Sequence, residues 1–513
     1  MKENVFPEDM VMQRGKKTAL NTLMSILAEV ATVICGFILP RLILRSFGSQ
    51  YNGLTTSITQ FLSMAVLLRG GIGGATRAAL YAPLAKKDKA EVNAIMTATD
   101  LFMKKIGIIL GCAIVAFASV YGFITIKEFD WFFTFSLFII ISLSTFVENF
   151  AGVTYLILLQ ADQKLWIASL IGIVGTVLNT ILAAILIHLG AGIHLVKLGS
   201  SLVFIAKPIA MQIYVRRHYR LDLSVKPDNQ AISQRWDAFW HQLASFVMNN
   251  TDVMVLTLFT NMREVSVYSI YHMVFHNINR IIVSFTSGLE AAFGNMIARG
   301  EKKTLQETFS LIEWLIFSLS TLICSVTILL VFEFVTLYTK GVYDVEYIRP
   351  MFAYLAISAE FFNCIRLPSV FVTWAAGKYK ETRNGAIVEP IINIVVSVVF
   401  VIRYGLVGVA VGTVAATLFR TVQYGWFASK YVVERNQWIL PGRLLVSFVE
   451  MAIIFLIWKA FRINPADNYL AWAIHGVICC LTAGIVIFLF SIVLFRKDMK
   501  NTLVRLKNIH RKT

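Results

Sequence analysis

Long apolar runs alternate with short polar segments along the whole chain. A helix needs about 20 apolar residues to cross the hydrocarbon core of a bilayer. Fourteen runs approach or exceed this length, and they are separated by turn residues and charges. The predicted spans are 18–45, 51–69, 104–126, 131–160, 165–188, 195–215, 238–260, 265–297, 304–337, 350–376, 384–403, 407–429, 443–461 and 470–495. The pattern predicts an all-α polytopic membrane protein with about 14 transmembrane helices.

The composition agrees with a membrane protein. The 513 residues are 57% hydrophobic and 15% charged, whereas soluble domains are typically about 25% charged. The longest polar stretch, 216–238, is too short to hold a soluble domain. The chain also lacks the glycine-rich phosphate-binding motif that ends in Lys-Ser or Lys-Thr. We therefore expect neither an enzyme nor an ATP-driven machine, and no bound cofactor.

The distribution of lysine and arginine predicts the orientation. With the N-terminus inside, thirty of these residues fall in inner segments and eight in outer segments or at their rims. Both termini are therefore predicted to be cytoplasmic. The net charge of +17 is then largely a topology signal, and no nucleic-acid partner is expected.

The sequence also contains a weak internal repeat. A shift of about 214 residues aligns Phe61 with Phe275, Gly74 with Gly288, and Asn179 with Asn393. The glycine-containing stretches 67–91 and 284–308 become the same inner loop of two six-helix lobes, which should be related by a pseudo-twofold axis with a substrate path between them. The predicted segments are an N-terminal tail at 1–17, an N-lobe at 18–215, a loop at 216–237, a C-lobe at 238–429, two further helices within 443–495, and a basic tail at 496–513.

Four cations lie near the middle of predicted spans: Lys207, Arg280, Arg366 and Arg420. A lone cation at this depth costs about 2.5–3.5 kcal/mol on insertion scales. We therefore expect them to face a wet cavity and bind an anionic substrate, together with Arg41 closer to a span end. The repeat does not relate their positions in any simple way, so an asymmetric cavity is expected. The alternative is internal pairing with acidic residues, for which the candidates are Glu148, Asp252, Glu360 and Glu389.

Polar residues also recur with helical spacing. Tyr268, His272, His276 and Arg280 form an i, i+4 series in the eighth span. Asn249 belongs to a similar face in the seventh span, and Glu29 to one in the first. Such faces should line an aqueous path, because they are costly against lipid. His272 and His276 have metal-ligand spacing, but no third ligand is evident, so no metal site is expected.

The intramembrane carboxylates are candidates for coupling transport to H⁺ or Na⁺. Glu29 and Asp252 are the leading ones, followed by Glu148 and Glu389. A carboxylate that binds an ion in one conformation and releases it in another can drive an exchange between the two. The alternative is a structural salt bridge at each position.

Three stretches resemble the polysaccharide transporter branch of the multidrug/oligosaccharidyl-lipid/polysaccharide exporter superfamily, the O-antigen-type flippases. They are GFILPRLILRSFGSQYNGLTTSITQF (36–61), NNTDVMVLTLFTNMREVSVYSIYHM (249–273) and NGAIVEPIINIVVSVVFVIRYGLVGVAVGT (384–413). The resemblance implies fourteen helices with a duplicated six-helix core. It also implies movement of undecaprenyl-pyrophosphate-linked oligosaccharide across the bacterial cytoplasmic membrane by alternating access, without ATP hydrolysis. Asp252 and Tyr268 match the family by position.

This resemblance implies a role in the synthesis of O-antigen, capsule or exopolysaccharide. The expected partners are the lipid-linked substrate, membrane lipids and a polysaccharide polymerase, and a monomer is expected. A cation-coupled multidrug exporter of the same superfamily is the alternative. That class usually has twelve spans and takes cationic cargo, which intramembrane cations should repel. A membrane scaffold or a glycosyltransferase is a third interpretation, but a glycosyltransferase needs a sizeable soluble site. A flippase for a peptidoglycan precursor or a teichoic-type polymer is also open and would differ only in its cargo.

Overall fold

The computed structural model describes residues 8–63, 69, 72–230, 250–286, 288–461 and 463–496. Regular secondary structure in these residues is entirely helical, which confirms the predicted fold class. The helices are α1 (Glu8–Phe47), α2 (Ser49–Ser63), α3 (Ile72–Lys86), α4 (Lys89–Ile124), α5 (Trp131–Val147), α6 (Val153–Ala161), α7 (Leu165–His188), α8 (Ile193–Tyr219), α9 (Asn250–Phe259), α10 (Met262–Thr286), α11 (Leu289–Ala298), α12 (Lys302–Tyr338), α13 (Pro350–Ile365), α14 (Leu367–Ala375), α15 (Tyr379–Tyr404), α16 (Leu406–Phe427), α17 (Ile439–Ala460) and α18 (Tyr469–Leu494). Short π-helical segments, Glu148–Gly152 and Ala428–Val432, follow α5 and α16.

Eleven helical segments in the described residues are long and apolar enough to cross a membrane. They coincide with eleven of the fourteen predicted spans, so the chain is a multi-pass membrane protein. The predicted second and seventh spans extend into residues outside the described ranges. The prediction of one eighth span over 265–297 is wrong, because α10 and α11 are separate helices. Gly288 lies between them with φ +87°, a conformation that glycine adopts without a Cβ clash.

The prediction that 67–91 and 284–308 are loops is also wrong in part. Most of the first stretch forms α3, and the second contains α11. The glycines and charges suggested loops, but the intervening sequence in α3 is rich in alanine, the residue with the highest helix propensity. This segment of each repeat therefore contains a short helix before a long, apolar helix.

The chain divides into two compact units, Met1–Asn250 and Thr251–Thr513. Helices α9–α16 of the second unit follow the same order as α1–α8 of the first, and α17 and α18 come after them. Shifting the first residues of α4, α6, α7 and α8 by 214 residues brings them within one residue of the starts of α12, α14, α15 and α16. The repeat is therefore visible in the helix bounds, while the exact lobe boundaries stay predictions.

Both units interrupt the same helix at the same place. In the first unit a π-helical segment ends at Gly152, whose Cα lies so close to Pro208 that a Cβ would approach the proline Cβ to 2.7 Å. In the second unit α13 ends and α14 begins at Arg366, two residues before Pro368. Proline has no N–H to donate to the preceding turn, and π-helical turns leave the regular ladder. These breaks place polar groups in the middle of membrane-spanning segments.

Close approach of α15 and α16 organises the second unit. A Cβ on Gly408 would lie 2.3 Å from the Phe400 carbonyl carbon, and one on Gly412 would lie 2.1 Å from the Ser397 hydroxyl oxygen. Only glycine permits the two backbones to pack at this distance. The polar side chains of both helices are thereby held against each other.

The last two helices pack on α12. Trp314 donates to the Ser491 hydroxyl at 3.3 Å, and Trp472 donates to the Leu330 carbonyl at 3.2 Å. Residue numbers rise along α12 as they fall along α18, so the two helices are antiparallel. The pair α17–α18 is therefore part of the second unit and not a separate domain.

Candidate functional site

Three predicted residues of the second unit form one buried ion cluster. Glu389 on α15 accepts from Arg366 at the α13–α14 break, with 2.5 Å between Oε1 and Nη1. Its other oxygen lies 3.5 Å from Nε of Arg420 on α16. Glu389 and Arg420 are only 6% and 5% exposed. Two guanidinium groups thus share one carboxylate.

Arg420 is also held by neutral groups. Its Nη1 donates to the Thr382 carbonyl at 3.0 Å and to the Gln423 side chain at 2.6 Å. Its Nη2 donates to the Tyr424 hydroxyl at 3.0 Å, and the guanidinium lies 4.2 Å from the centre of the Tyr424 ring. Arg366 and Arg420 therefore form internal ion pairs with Glu389, which is one of the two alternatives that the sequence left open. Contact of either with an anionic substrate stays a prediction.

Lys207 occupies a cavity of the first unit. Its Nζ donates to the Thr176 hydroxyl at 3.3 Å and lies 4.3 Å from the centre of the Phe204 ring. The cavity has a volume of about 390 Å³ and is also lined by Glu148. Glu148 pairs with Arg69 at 3.2 Å. This unit therefore also places two cations around one carboxylate.

Lys207 and Arg420 are equivalent residues of the repeat, contrary to the prediction that the mid-span cations are unrelated. Each is the fifteenth residue of its helix, α8 or α16. The start of α7 and the start of α8 are one residue farther apart than the starts of α15 and α16, so a uniform shift of 214 puts the two cations out of register. Gly175 and Glu389 are likewise the eleventh residues of α7 and α15. A Cβ on Gly175 would meet the Lys207 side chain at 2.2 Å.

A second polar cluster surrounds Asp252 on α9. The Tyr268 hydroxyl and the Thr413 hydroxyl donate to Oδ2 of Asp252 at 3.2 and 3.0 Å. The Asn393 amide donates in turn to the Thr413 hydroxyl oxygen at 3.1 Å. Asp252 and Tyr268, both predicted from the sequence, thus form one hydrogen-bonded cluster with Thr413, a residue that the sequence did not single out.

Several acceptors near this cluster are buried without a hydrogen-bond donor in the described structure. They are Oδ1 of Asp252, Oδ1 of Asn393 and Oε2 of Glu360. A buried acceptor without a partner costs about 1–3 kcal/mol. Protonation of a carboxylate or binding of a small cation to these oxygens would satisfy them, since hard cations prefer oxygen ligands.

The predicted series on α10 forms one continuous face. The ring centres of Tyr268 and His272 are 5.4 Å apart, as are those of His272 and His276. Tyr268 is buried, whereas His276 and Arg280 are exposed at the far end of the series. No three His, Cys, Asp or Glu side chains within the described ranges come together in a way that could hold a metal ion.

The other candidates lie apart from these clusters. Glu29 is exposed and Arg41 half-buried, both on α1. Asn249 lies outside the described residues. Asn21, on the same predicted polar face as Glu29, instead joins two helices by donating to the Gln163 carbonyl at 2.8 Å and accepting from the Trp166 N–H at 2.9 Å.

Sequence reasoning also missed some partners. Arg69, the last residue of the predicted second span, is the ion-pair partner of Glu148. Gln423 and Tyr424 bind Arg420, and their i+3 and i+4 spacing from it places them beside it on α16. That spacing was the available signal, whereas the partnership of Arg69 and Glu148 depends on the tertiary fold.

No protein-family model matches the chain, and no curated protein sequence does. Solved structures do match. The lipid II flippase MurJ in an inward-closed conformation has a TM-score of 0.71 at 16% identity, covering 92% of this chain and 100% of that one. An inward-facing MATE-family multidrug resistance transporter of the MOP superfamily has a TM-score of 0.62 at 13% identity, covering 77% of this chain and 93% of its own. The eukaryotic MATE transporter AtDTX14 has a TM-score of 0.55 at 12% identity, covering 86% and 99%.

These likenesses establish the fold. The chain has the fold shared by this flippase and these transporters, which confirms the resemblance predicted from the sequence at the level of the fold. The proteins named above are transporters and a flippase.

Proposed function

We propose that the protein is a flippase that moves undecaprenyl-pyrophosphate-linked oligosaccharides from the inner to the outer leaflet of a bacterial cytoplasmic membrane, for synthesis of cell-surface polysaccharide. The observation that carries the proposal is the placement of two cations around one carboxylate in each unit. Lys207 and Arg420 hold equivalent positions in these clusters. Cationic side chains within a membrane suit a cargo with a pyrophosphate group, whose oxygens bind such side chains strongly.

The fold comparison supports a lipid flippase over the alternative, a cation-coupled multidrug exporter. The flippase structure matches a larger share of this chain than the inward-facing MATE transporter does, with a higher TM-score. A cationic drug would also be repelled by the cationic side chains of both clusters. Alternating access by the two units is the mechanism that we propose for transport.

Replacing Lys207 by glutamine is expected to slow transport of the lipid-linked oligosaccharide about tenfold or more, the effect of losing one charged contact of about 1.5–3 kcal/mol. Lys207 is the suitable test residue because its amino group binds a threonine hydroxyl and no carboxylate at ion-pair distance within the described residues. The measurement is movement of a fluorescent undecaprenyl-pyrophosphate oligosaccharide between leaflets of proteoliposomes.

Lys105→Gln provides a matched control, because Lys105 is exposed on α4 and lies outside both clusters. Transport by this variant should equal that of the wild type. Full activity of the Lys207 variant, or uptake of a cationic dye in place of the lipid-linked sugar, would contradict the proposed cargo and favour the drug exporter.

We further propose that H⁺ or Na⁺ couples to transport at Asp252. The supporting observation is the set of buried acceptor oxygens around it. Asp252→Asn is expected to abolish the response of transport to an imposed H⁺ or Na⁺ gradient, because the amide cannot carry the charge that binds the ion. The initial rate of transport with and without each gradient is the measurement.

The control for this variant is Asp130→Asn. Asp130 caps the start of α5 by accepting from the Phe132 and Phe133 N–H groups, and asparagine caps helices equally well. This variant should respond to the gradients as the wild type does. A gradient response that survives in Asp252→Asn would move the coupling site elsewhere.

A further inference from the structure

A basic pocket lies at one end of the helices of the first unit. Its volume is about 660 Å³, and four of its lining residues are cations. They are Lys87, Lys89, Arg217 and Arg220. All four are exposed, and none forms an ion pair with another residue of the described ranges.

The two carboxylates of the basic pocket are engaged elsewhere. Asp88 caps α4 by accepting from the N–H groups of Ala90 and Glu91, both at 3.0 Å. Asp162 accepts from the Tyr219 hydroxyl at 2.5 Å and pairs with Lys164 at 2.8 Å. Asp162 is neutralised by Lys164, and Asp88 offsets one of the four cations, so the lining retains a net positive charge.

The place in the second unit that is equivalent to the basic pocket is neutralised by an ion pair. Lys89 and Lys302 are the first residues of α4 and α12. Arg220 corresponds to Glu434, and both adopt left-handed backbone conformations, with φ of 49° and 54°. In the second unit Lys302 pairs with Glu434 at 3.0 Å. In the first unit the equivalent residues are both cations and cannot pair.

A neighbouring position also differs between the two units. Gln306, the fifth residue of α12, donates to the carbonyls of Val433 and Glu434 at 2.9 and 3.1 Å and so ties the helix to the segment that follows α16. The fifth residue of α4 is Asn93, which is one methylene shorter and lines the basic pocket. The second unit thus bridges this place with two side chains, and the first unit leaves it open.

The turn before α4 also differs between the two units. Lys87 has φ 58°, whereas the residue at the equivalent turn before α12 is Gly300, with φ 68°. The first unit therefore carries a lysine side chain at the edge of the pocket where the second unit has a glycine.

We infer that the basic pocket binds a phosphate-bearing anion. It lies where the membrane-spanning segments Lys89–Ile124 and Ile193–Tyr219 begin and end, which is the predicted cytoplasmic interface. The guanidinium and ammonium groups of its lining can bind phosphate oxygens, and basic pockets between membrane helices bind anionic headgroups. The phosphate can belong to a phospholipid or to a soluble molecule. The inference requires neither the cargo nor the coupling proposed above.

The test is a titration of the purified full-length protein, followed by native mass spectrometry. The probes are phosphatidylglycerol, the neutral lipid phosphatidylcholine, and inorganic pyrophosphate. Arg220→Glu recreates the Lys302–Glu434 arrangement and is expected to weaken binding of the phosphate probe about tenfold or more, because it reverses a charge at the surface. Lys89→Gln is a second variant with a smaller expected loss, and thermal melting checks that both variants fold.

Glu434→Arg is the reciprocal variant. It removes the acidic partner of Lys302 and should add a binding event for the same probe in the second unit. Sensitivity of phosphatidylglycerol binding to Arg220→Glu would identify a lipid headgroup, and sensitivity of pyrophosphate binding alone would identify a soluble anion. Unchanged binding of both probes in Arg220→Glu and Lys89→Gln would overturn the inference.

Discussion

Replacement of Glu389 by glutamine is expected to lower the free energy of unfolding by about 3–5 kcal/mol, the usual cost of removing one partner from a buried ion cluster. Glu389 is 6% exposed and is the acidic partner of both Arg366 and Arg420. Without its charge, two guanidinium groups face each other in a poorly solvated environment. Because the carboxylate joins α15 to the α13–α14 break and to α16, its loss should destabilise the whole second unit.

Thermal or denaturant unfolding in detergent measures this effect. Glu381→Gln is the matched control, since Glu381 pairs with Lys378 at 3.3 Å near the start of the same helix, but both side chains are exposed by more than 40%. An exposed pair of this kind contributes little to stability. Equal stability of the two variants would show that the buried cluster is held by its neutral hydrogen bonds and not by the shared carboxylate.

Replacement of Glu313 by glutamine is the second change with a large expected effect, also about 3–5 kcal/mol. Glu313 on α12 is 1% exposed. It lies 2.6 Å from Nη2 of Arg435 and 3.2 Å from Nη1 of Arg443 at the start of α17. Arg443 also donates to the carbonyl and hydroxyl of Ser310. This cluster therefore anchors the C-terminal helix pair to α12.

Hydrogen exchange distinguishes this anchoring role from a general loss of stability. In Glu313→Gln, amide protection should fall first in α17 and in residues 433–438. Glu434→Gln serves as the control, because the Lys302–Glu434 pair nearby is largely exposed and its loss should leave α17 protected. Uniform loss of protection across α12–α16 before α17 would contradict the anchoring role.

Much of the architecture could be predicted from the sequence because membrane helices satisfy their backbone hydrogen bonds locally. A run of apolar residues therefore determines a span almost independently of its neighbours, and eleven of the predicted spans coincide with apolar helices. The same local rule placed Tyr268, His272 and His276 on one face of α10. The prediction of a single eighth span was wrong because the helix is interrupted at Gly288, which has a positive φ.

Partner choice among the charged residues required the tertiary structure. The sequence placed four cations and several acids within the membrane but could not say which of them meet. Glu389 is the partner of Arg366, 23 residues away, and also of Arg420 on the next helix. Thr413 reaches Asp252 across 161 residues. Such pairs depend on how helices pack against each other, and the hydropathy of a span carries no information about that packing.

The equivalence of Lys207 and Arg420 also separates what the sequence specifies from what helix packing specifies. The sequence by itself determined that the chain spans a membrane many times, that its halves repeat, and that cations lie within its spans. The helix bounds then showed that these two cations stand at one position of the repeat, and the packing showed that one faces a glycine and the other a glutamate. Local hydrophobicity specifies each helix, but only packing between helices determines which charges are neutralised.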